Sequence, residues 1–264
     1  MKCFQLTVLV FLSLRQKILK TDACSLDSLG DPSMCSNLPF PSSSHKLPLD
    51  RFRFNQDGTF PFMGGPIFAE VYQTVSKMSV TTGTVYYLQG TLGSGESHIL
   101  AALVCLLIKE GKRVVYLPEA KRLATDLVGY TKYSLQLAYA DDEVLFERIQ
   151  GFSSITDILK FAKERSRRGE LWYLICDQMN ALDHFHDIAN SLAAEDQREA
   201  LRFIQRLASD HIYIWSASGN CRDAASDNRR QNSGAQRLLF REGYNRVRSS
   251  LPSDTRSTPT NMRG

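Results

Sequence analysis

Tyr86-Tyr87-Leu88-Gln89-Gly90-Thr91-Leu92-Gly93-Ser94-Gly95-Glu96-Ser97-His98 is the stretch on which the reading of this chain turns. An apolar strand runs into a glycine-rich turn, and an apolar helix starts directly after it. The frame G-x-x-x-x-G-K-[ST] fits from Gly90 to Ser97 at every position but one, with Glu96 where the frame carries a lysine. Gly90, Gly93 and Gly95 admit backbone angles that turn successive N–H groups toward phosphate oxygens. The helix adds its positive N-terminal end. On this reading Gly90, Thr91, Gly93, Ser94, Gly95, Glu96, Ser97 and His98 form the nucleotide-contacting set, and Ser97 also offers its hydroxyl to a bound Mg2+.

Glu96 reverses a charge in that set. Unit charges about 4 Å apart interact by roughly 4 kcal/mol at an effective dielectric near 20. Exchanging attraction for repulsion therefore predicts weak binding of Mg2+ with ATP, and slow or absent hydrolysis. Three routes soften the penalty: the carboxylate turns to solvent, takes up a proton, or shares the magnesium ion.

The other half of a nucleotide site follows at Leu171-Trp172-Tyr173-Leu174-Ile175-Cys176-Asp177-Gln178. A buried strand that ends in an acid delivers Asp177 to the carboxyl edge of a parallel sheet, facing the water shell of a metal ion. Ser97 and Asp177 are thus the predicted metal-holding pair. Gln178 stands where many ATPases carry a glutamate base; an amide orients water but takes no proton. Asp177 and Gln178 are the predicted catalytic residues, with Asn180 and Asp183 close behind as auxiliaries. Asp183-His184-Phe185-His186-Asp187 invites a metal reading, yet histidines two apart share a face only on a strand, and this stretch reads as a loop or a helix start.

Outward from these two segments the chain alternates strands and helices. Val71, Val75 and Met78 predict a helix over about 67–79. Ile99, Leu100, Leu103, Val104, Leu106 and Leu107 predict a helix from Ser97 to Glu110 buried against a sheet, and Arg113-Val114-Val115-Tyr116-Leu117 a second strand. This is a βαβ unit and implies parallel strands. Ser154 and Asp157 resemble a capping box opening a further helix. A helix over Glu195–Ser209 carries Arg198, Arg202 and Arg206 on one flank, read as a solvated face paired with Glu195 and Glu199. His211-Ile212-Tyr213-Ile214-Trp215 is a strand expected to lie between the loop strand and the Asp177 strand. It ends in Ser216-Ala217-Ser218-Gly219-Asn220, whose polar members either reach a γ-phosphate or its attacking water, or form a plain turn.

The two ends read differently. Lys2 precedes an apolar run, Leu6 to Leu14, of a length that suits a signal-peptide core and falls short of a membrane span. Thr21-Asp22-Ala23 offers small residues for cleavage before Cys24, whereas Arg15, Lys17 and Lys20 favour a short amphipathic helix instead. Residues 25–48 are rich in Ser, Pro and Asp and read as a linker. From Cys221 to Gly264 there are nine Arg against four acids, the apolar pattern collapses, and a disordered basic tail is expected. Nucleic-acid contact through that tail is the lesser reading, because the net charge of +4 is mild. The six cysteines contain no C-x-x-C pair, so neither a disulfide framework nor a zinc site is indicated.

The strings Y-Y-L-Q-G-T-x-G-x-G-x-S-H, Val-Val-Tyr-Leu-Pro and L-W-Y-L-I-C-D-Q-M-N-A-L together resemble the P-loop ATPase domain of Crinkler-type effectors, similar to that of retrotransposon hot spot proteins. The resemblance covers about 51–220; Gly90, Gly95, Ser97, Asp177 and Gln178 match by type and place, and Glu96 departs from the family's lysine. It implies an effector delivered into host cells, often to the nucleus, with a host protein partner; a purely intracellular protein is the alternative. The expected fold is α/β, a three-layer P-loop NTPase-like domain over 51–220 with a mostly parallel sheet, lacking a recognisable fifth strand and lid. Residues 1–50 and 221–264 are expected as flanking segments. Nucleotide binding with impaired ATPase chemistry is the expected function, and a non-catalytic interaction domain that keeps only the fold is the alternative.

Overall fold

The computed structural model describes residues 2–42, 47–79, 84–90, 95–182, 191–218 and 236–239. The loop strand, β3 (Val85–Gly90), lies inside a five-stranded sheet; β1 (Cys35–Pro39) and β2 (Thr59–Met63) form a separate antiparallel pair. The main sheet also contains β4 (Arg113–Leu117), β5 (Trp172–Cys176), β6 (Ile212–Ser218) and β7 (Gln236–Leu239). Its order is β4-β5-β6-β3-β7, and every pairing is parallel. β6 therefore separates the loop strand from the Asp177 strand, as the sequence predicts. Parallel neighbours demand crossovers, and helices cover both faces of the sheet in three layers. The fold is the expected three-layer α/β domain with a parallel sheet.

A fifth strand is present where the sequence pattern predicts none. β7 pairs with β3 from Tyr86↔Gln236 to Gln89↔Leu239. Only Leu238-Leu239-Phe240 breaks the polar composition there, too short a run to read as a strand before the sheet supplies a partner. The segments in which a lid would be sought, 219–235 and 240–264, lie outside the described residues, as does all of the basic tail except β7.

One face of the sheet is covered by α4 (Glu96–Lys109), the helix that follows the loop. Every residue from Ile99 to Ile108 is buried. A helix that is apolar all round must be covered all round. The sheet covers one side of α4 through Tyr86, Leu88, Val114, Tyr116, Ile175 and Ile214. The other side is covered by residues of α1 (Lys2–Lys20), α2 (Leu26–Gly30), β1, β2 and α3 (Pro66–Ser76). Described residues of the N-terminal segment, including part of the stretch 25–48 expected as a linker, thus pack into the first core: Ile18, Cys24, Leu29, Leu38 and Phe40 are all buried in it. These apolar residues are scattered without a helical or strand period, so composition alone gives the impression of a loop. Lys109 Nζ also donates to the Thr21 carbonyl at 2.7 Å, tying the end of α1 to the end of α4.

The opposite face is covered by α5 (Leu127–Ala138), α6 (Glu143–Gln150), α7 (Ile155–Arg167) and α8 (Ser191–Ala208). Ser154 and Asp157 form the predicted capping box at the start of α7. Arg198 and Arg202 pair with Glu195 at 2.8 and 3.3 Å on the exposed flank of α8, as read from sequence. Among the described residues no helix is long and apolar enough to cross a membrane.

Candidate nucleotide site

The site is assembled at the carboxyl edge of the main sheet. β3 ends at the buried Gly90, and α4 opens at Gly95, whose φ of 90° is left-handed backbone that favours glycine. Gly95 gives no side-chain cap, so the first N–H groups of α4 have no capping hydroxyl or carboxylate from that position. Thr91, Leu92, Gly93 and Ser94, the body of the predicted phosphate loop, lie outside the described residues, as do Asp183, His184, His186 and Asn220.

Glu96 does not turn to solvent. It lies in the first turn of α4 and is only 8% exposed. A carboxylate at a helix N-terminus interacts favourably with the helix dipole, about 0.3–1 kcal/mol at exposed positions. The position that normally presents a cation to phosphate thus presents a buried acid.

Ser97 and Asp177 meet. Asp177 follows β5, is 1% exposed, and lies within hydrogen-bonding reach of the Ser97 hydroxyl. Between them stands a residue that the motifs do not contain. Arg51 Nη1 donates to Asp177 Oδ2 at 2.6 Å, to Ser97 Oγ at 3.3 Å and to the Pro118 carbonyl at 3.0 Å. Glu119 lies 3.8 Å from Arg51 Nη2. The other oxygen of Asp177, Oδ1, accepts from the Ser216 hydroxyl at 2.5 Å. Ser216 Oγ in turn accepts from the Gln178 N–H at 3.1 Å. Ser216, one of the candidates for touching a γ-phosphate, therefore holds the acid in place; the Ser218 side chain is not among those described.

Burial pushes the Asp177 carboxyl above its ordinary range, against the opposing pull of Arg51, of the Ser216 and Ser97 hydroxyls and of the Gln178 N–H. Tyr116, buried beside this pair, is pushed well up by desolvation and then by the Asp177 charge. Gln178 has φ of 61°, the one left-handed non-glycine backbone among the described residues. Such a residue stores on the order of 1–3 kcal/mol of strain, held in place by its surroundings. The strain falls at the position predicted to orient water.

His98, expected among the nucleotide contacts, packs elsewhere. Its ring stacks on Phe52 at 4.4 Å and meets Phe60 edge-on at 5.9 Å. Burial, and then the Arg51 charge, lower its pKa, so the ring is held neutral. Its contribution is positional: the first turn of α4 grips Phe52, and Phe52 fixes its neighbour Arg51 beneath Ser97. The only sequence signal for Arg51 is the alternation Arg51-Phe52-Arg53-Phe54, which gives a strand-like rhythm and no hint of the site.

The side chains predicted to hold Mg2+ are engaged with protein partners in this arrangement. Mg2+ requires near-octahedral oxygen ligands at about 2.0–2.1 Å. Here the Ser97 hydroxyl and one Asp177 oxygen share a guanidinium nitrogen, and the second Asp177 oxygen is taken by Ser216. No cluster of three or more metal-binding side chains occurs among the described residues.

No family model matches the chain, and no curated protein matches it. It is similar to a DNA replication initiation factor at 13% identity and a TM-score of 0.37, covering 65% of this chain and 44% of that one. It is similar to C. elegans PCH-2 at 10% identity and a TM-score of 0.37, covering 79% and 48%. The Aeropyrum pernix ORC2 protein, solved in ADPNP–ADP complexes, is similar at 14% identity and a TM-score of 0.38, covering 76% and 51%. The chain thus spans about half the length of each of these proteins or less.

Proposed function

We propose that this chain is a nucleotide-binding P-loop protein of the Crinkler-like ATPase class, with ATP as its ligand and with weak or absent hydrolysis because Glu96 replaces the loop lysine. The observation that carries the reading is the convergence of Ser97, at the start of α4, with Asp177, at the tip of β5. A chance glycine turn gives no reason for a remote acid to be buried against it. Gly90, Thr91, Gly93, Ser94 and Gly95 would contact phosphate through their N–H groups. Asp177 would fix the cation of the site, and Gln178 would orient water without accepting its proton. Both substitutions act in the same direction: one removes charge stabilisation at the phosphate, the other removes the base.

A second reading is a non-catalytic interaction domain that keeps the fold, as in an effector acting on a host protein. The buried Glu96 favours it, since an acid fixed inside the first helical turn is a settled structural element rather than a mobile side chain. Titration of ATP against the natural chain and Glu96→Lys by calorimetry separates the two. The nucleotide reading expects the lysine variant to bind at least about tenfold tighter, or ~1.4 kcal/mol. Equal affinities contradict phosphate binding by the loop, and absence of binding in both chains leaves the interaction reading.

A further inference from the structure

We infer that Arg51 is the resident cation of this pocket, standing where a nucleotide-bound metal would otherwise sit, so that any nucleoside di- or triphosphate is bound without a divalent ion. The inference rests on the nucleotide reading above and goes beyond it by naming what replaces the metal. Arg51 Nη1 is bonded at once to the loop-helix hydroxyl and to the strand-tip acid, at 3.3 and 2.6 Å. These are the two side chains that a P-loop site assigns to its metal. The guanidinium is delivered by a segment held down through the stack of Phe52 on His98 and the aromatic contacts of Phe52 with Phe40 and Phe60. Its side chain is 12% exposed.

The placement also answers the loss of the loop lysine. With Glu96 where the frame carries lysine, the start of α4 and the tip of β5 present two buried acids, Glu96 and Asp177. Arg51 restores one positive charge at the same end of the sheet. Its Nε and Nη2 atoms are buried and make no hydrogen bond among the described residues; they face the carboxylates of Asp50 at 3.5 Å and Glu119 at 3.8 Å, ion pairs too long for hydrogen bonds, for which a phosphate would compete. An arginine fork matches phosphate geometry through two parallel N–H donors. The ligand class that fits is a phosphorylated nucleotide presenting its terminal phosphate to an arginine, with Mg2+ neither required nor accommodated.

Two measurements on the full chain test this. The first is titration of ATP and ADP against the natural chain in EDTA and in millimolar Mg2+. Affinities within about twofold of each other are expected, whereas binding at least about tenfold stronger with Mg2+ overturns the arginine cation and leaves the nucleotide reading standing. The second needs no nucleotide: thermal melting of the natural chain and of Arg51→Met with Mg2+ or Mn2+ alone. Vacating the guanidinium frees Ser97 and Asp177, so a divalent ion is expected to raise the melting temperature of Arg51→Met and leave that of the natural chain unchanged. A divalent shift in the natural chain, or none in Arg51→Met, overturns the inference. Should Arg51→Met fail to fold, the EDTA comparison on the natural chain decides alone. Should no chain bind nucleotide in either buffer, the nucleotide reading falls, and the melting pair still decides whether Arg51 holds the metal position.

Discussion

Two corners of this molecule bury an arginine against an aspartate, and they do so differently. At the outer edge of the sheet, Arg15 of α1 donates to Asp141 at 3.1 Å, and Arg113 of β4 binds the other oxygen of the same carboxylate. At the loop corner, Arg51 alone faces Asp177. Both arginines have guanidinium nitrogens that make no hydrogen bond among the described residues, so that feature does not distinguish them. The acids do. Asp141 is 42% exposed; the Arg113 hydrogen bond and the Arg15 charge outweigh its partial burial and hold its carboxyl below the ordinary range. Asp177 is fully buried, and desolvation wins over Arg51, so its carboxyl is raised. The first corner is a staple joining α1 to β4 and α5, a satisfied acid between two cations. The second keeps a buried acid beside the start of α4, the arrangement that the proposed nucleotide site calls for.

The largest test of that contrast is removal of each arginine. Arg51→Met leaves Asp177 buried without its cation and is expected to destabilise by about 3–5 kcal/mol. Arg15→Met leaves Asp141 partly exposed and still bound to Arg113, so the expected loss is about 1–2 kcal/mol. Denaturant midpoints at constant m-value give both numbers; equal losses erase the distinction.

The next test uses pH, and the two acids carry opposite signs. Asp141 has a lowered pKa, so its contribution is present above the unfolded value of 3.8 and fades as pH falls below it. Asp177 has a raised pKa, so its contribution is present below the unfolded value and is lost as pH rises through the folded one. Asp141→Asn is therefore expected to flatten the acid limb of the stability curve. Asp177→Asn is expected to remove a loss that grows with rising pH, most visibly in the Arg51→Met background. His211, just before β6, adds a further titrating group. Its ring stacks on Trp172 at 4.4 Å, and burial lowers its pKa to about 4, opposed by Asp210, the Ala162 carbonyl and Glu170. Stability should fall by on the order of 2–3 kcal/mol as pH drops from about 6.5 toward 4, and His211→Gln should abolish that slope.

A smaller effect attaches to Gln178. Glycine accepts its left-handed backbone without strain, so Gln178→Gly is expected to stabilise by up to about 1 kcal/mol, offset by the added entropy of the unfolded chain. Destabilisation by more than that amount would mean that the Gln178 side chain itself braces the corner.

The fold was legible because its decisive segments are strongly patterned. Val85 to His98 and Leu171 to Gln178 each combine a buried strand with a polar or glycine terminus, a pattern that few other structures share. The helices α5 and α6 carry no motif and join the same core as α7 and α8 only once the sheet is formed. The role of residues 1–50 was hidden for a related reason. Nothing in α1 announces that the apolar outer face of α4 needs a cover; that requirement appears only when α4 is seen to be buried on all sides. At the site, Ser97 and Asp177 were readable from their segments. Arg51 was not, because its partners lie 46 and 126 residues away and no short-range spacing encodes such a contact.

The central claim is that Arg51 and Asp177 act as one charged unit under the loop helix, and a double-mutant cycle measures that directly. Arg51→Met, Asp177→Asn and the double variant are compared with the natural chain by equilibrium unfolding. A coupling free energy of about 2 kcal/mol or more, with the double variant more stable than Arg51→Met, is the predicted result. Additivity within about 0.5 kcal/mol would contradict it.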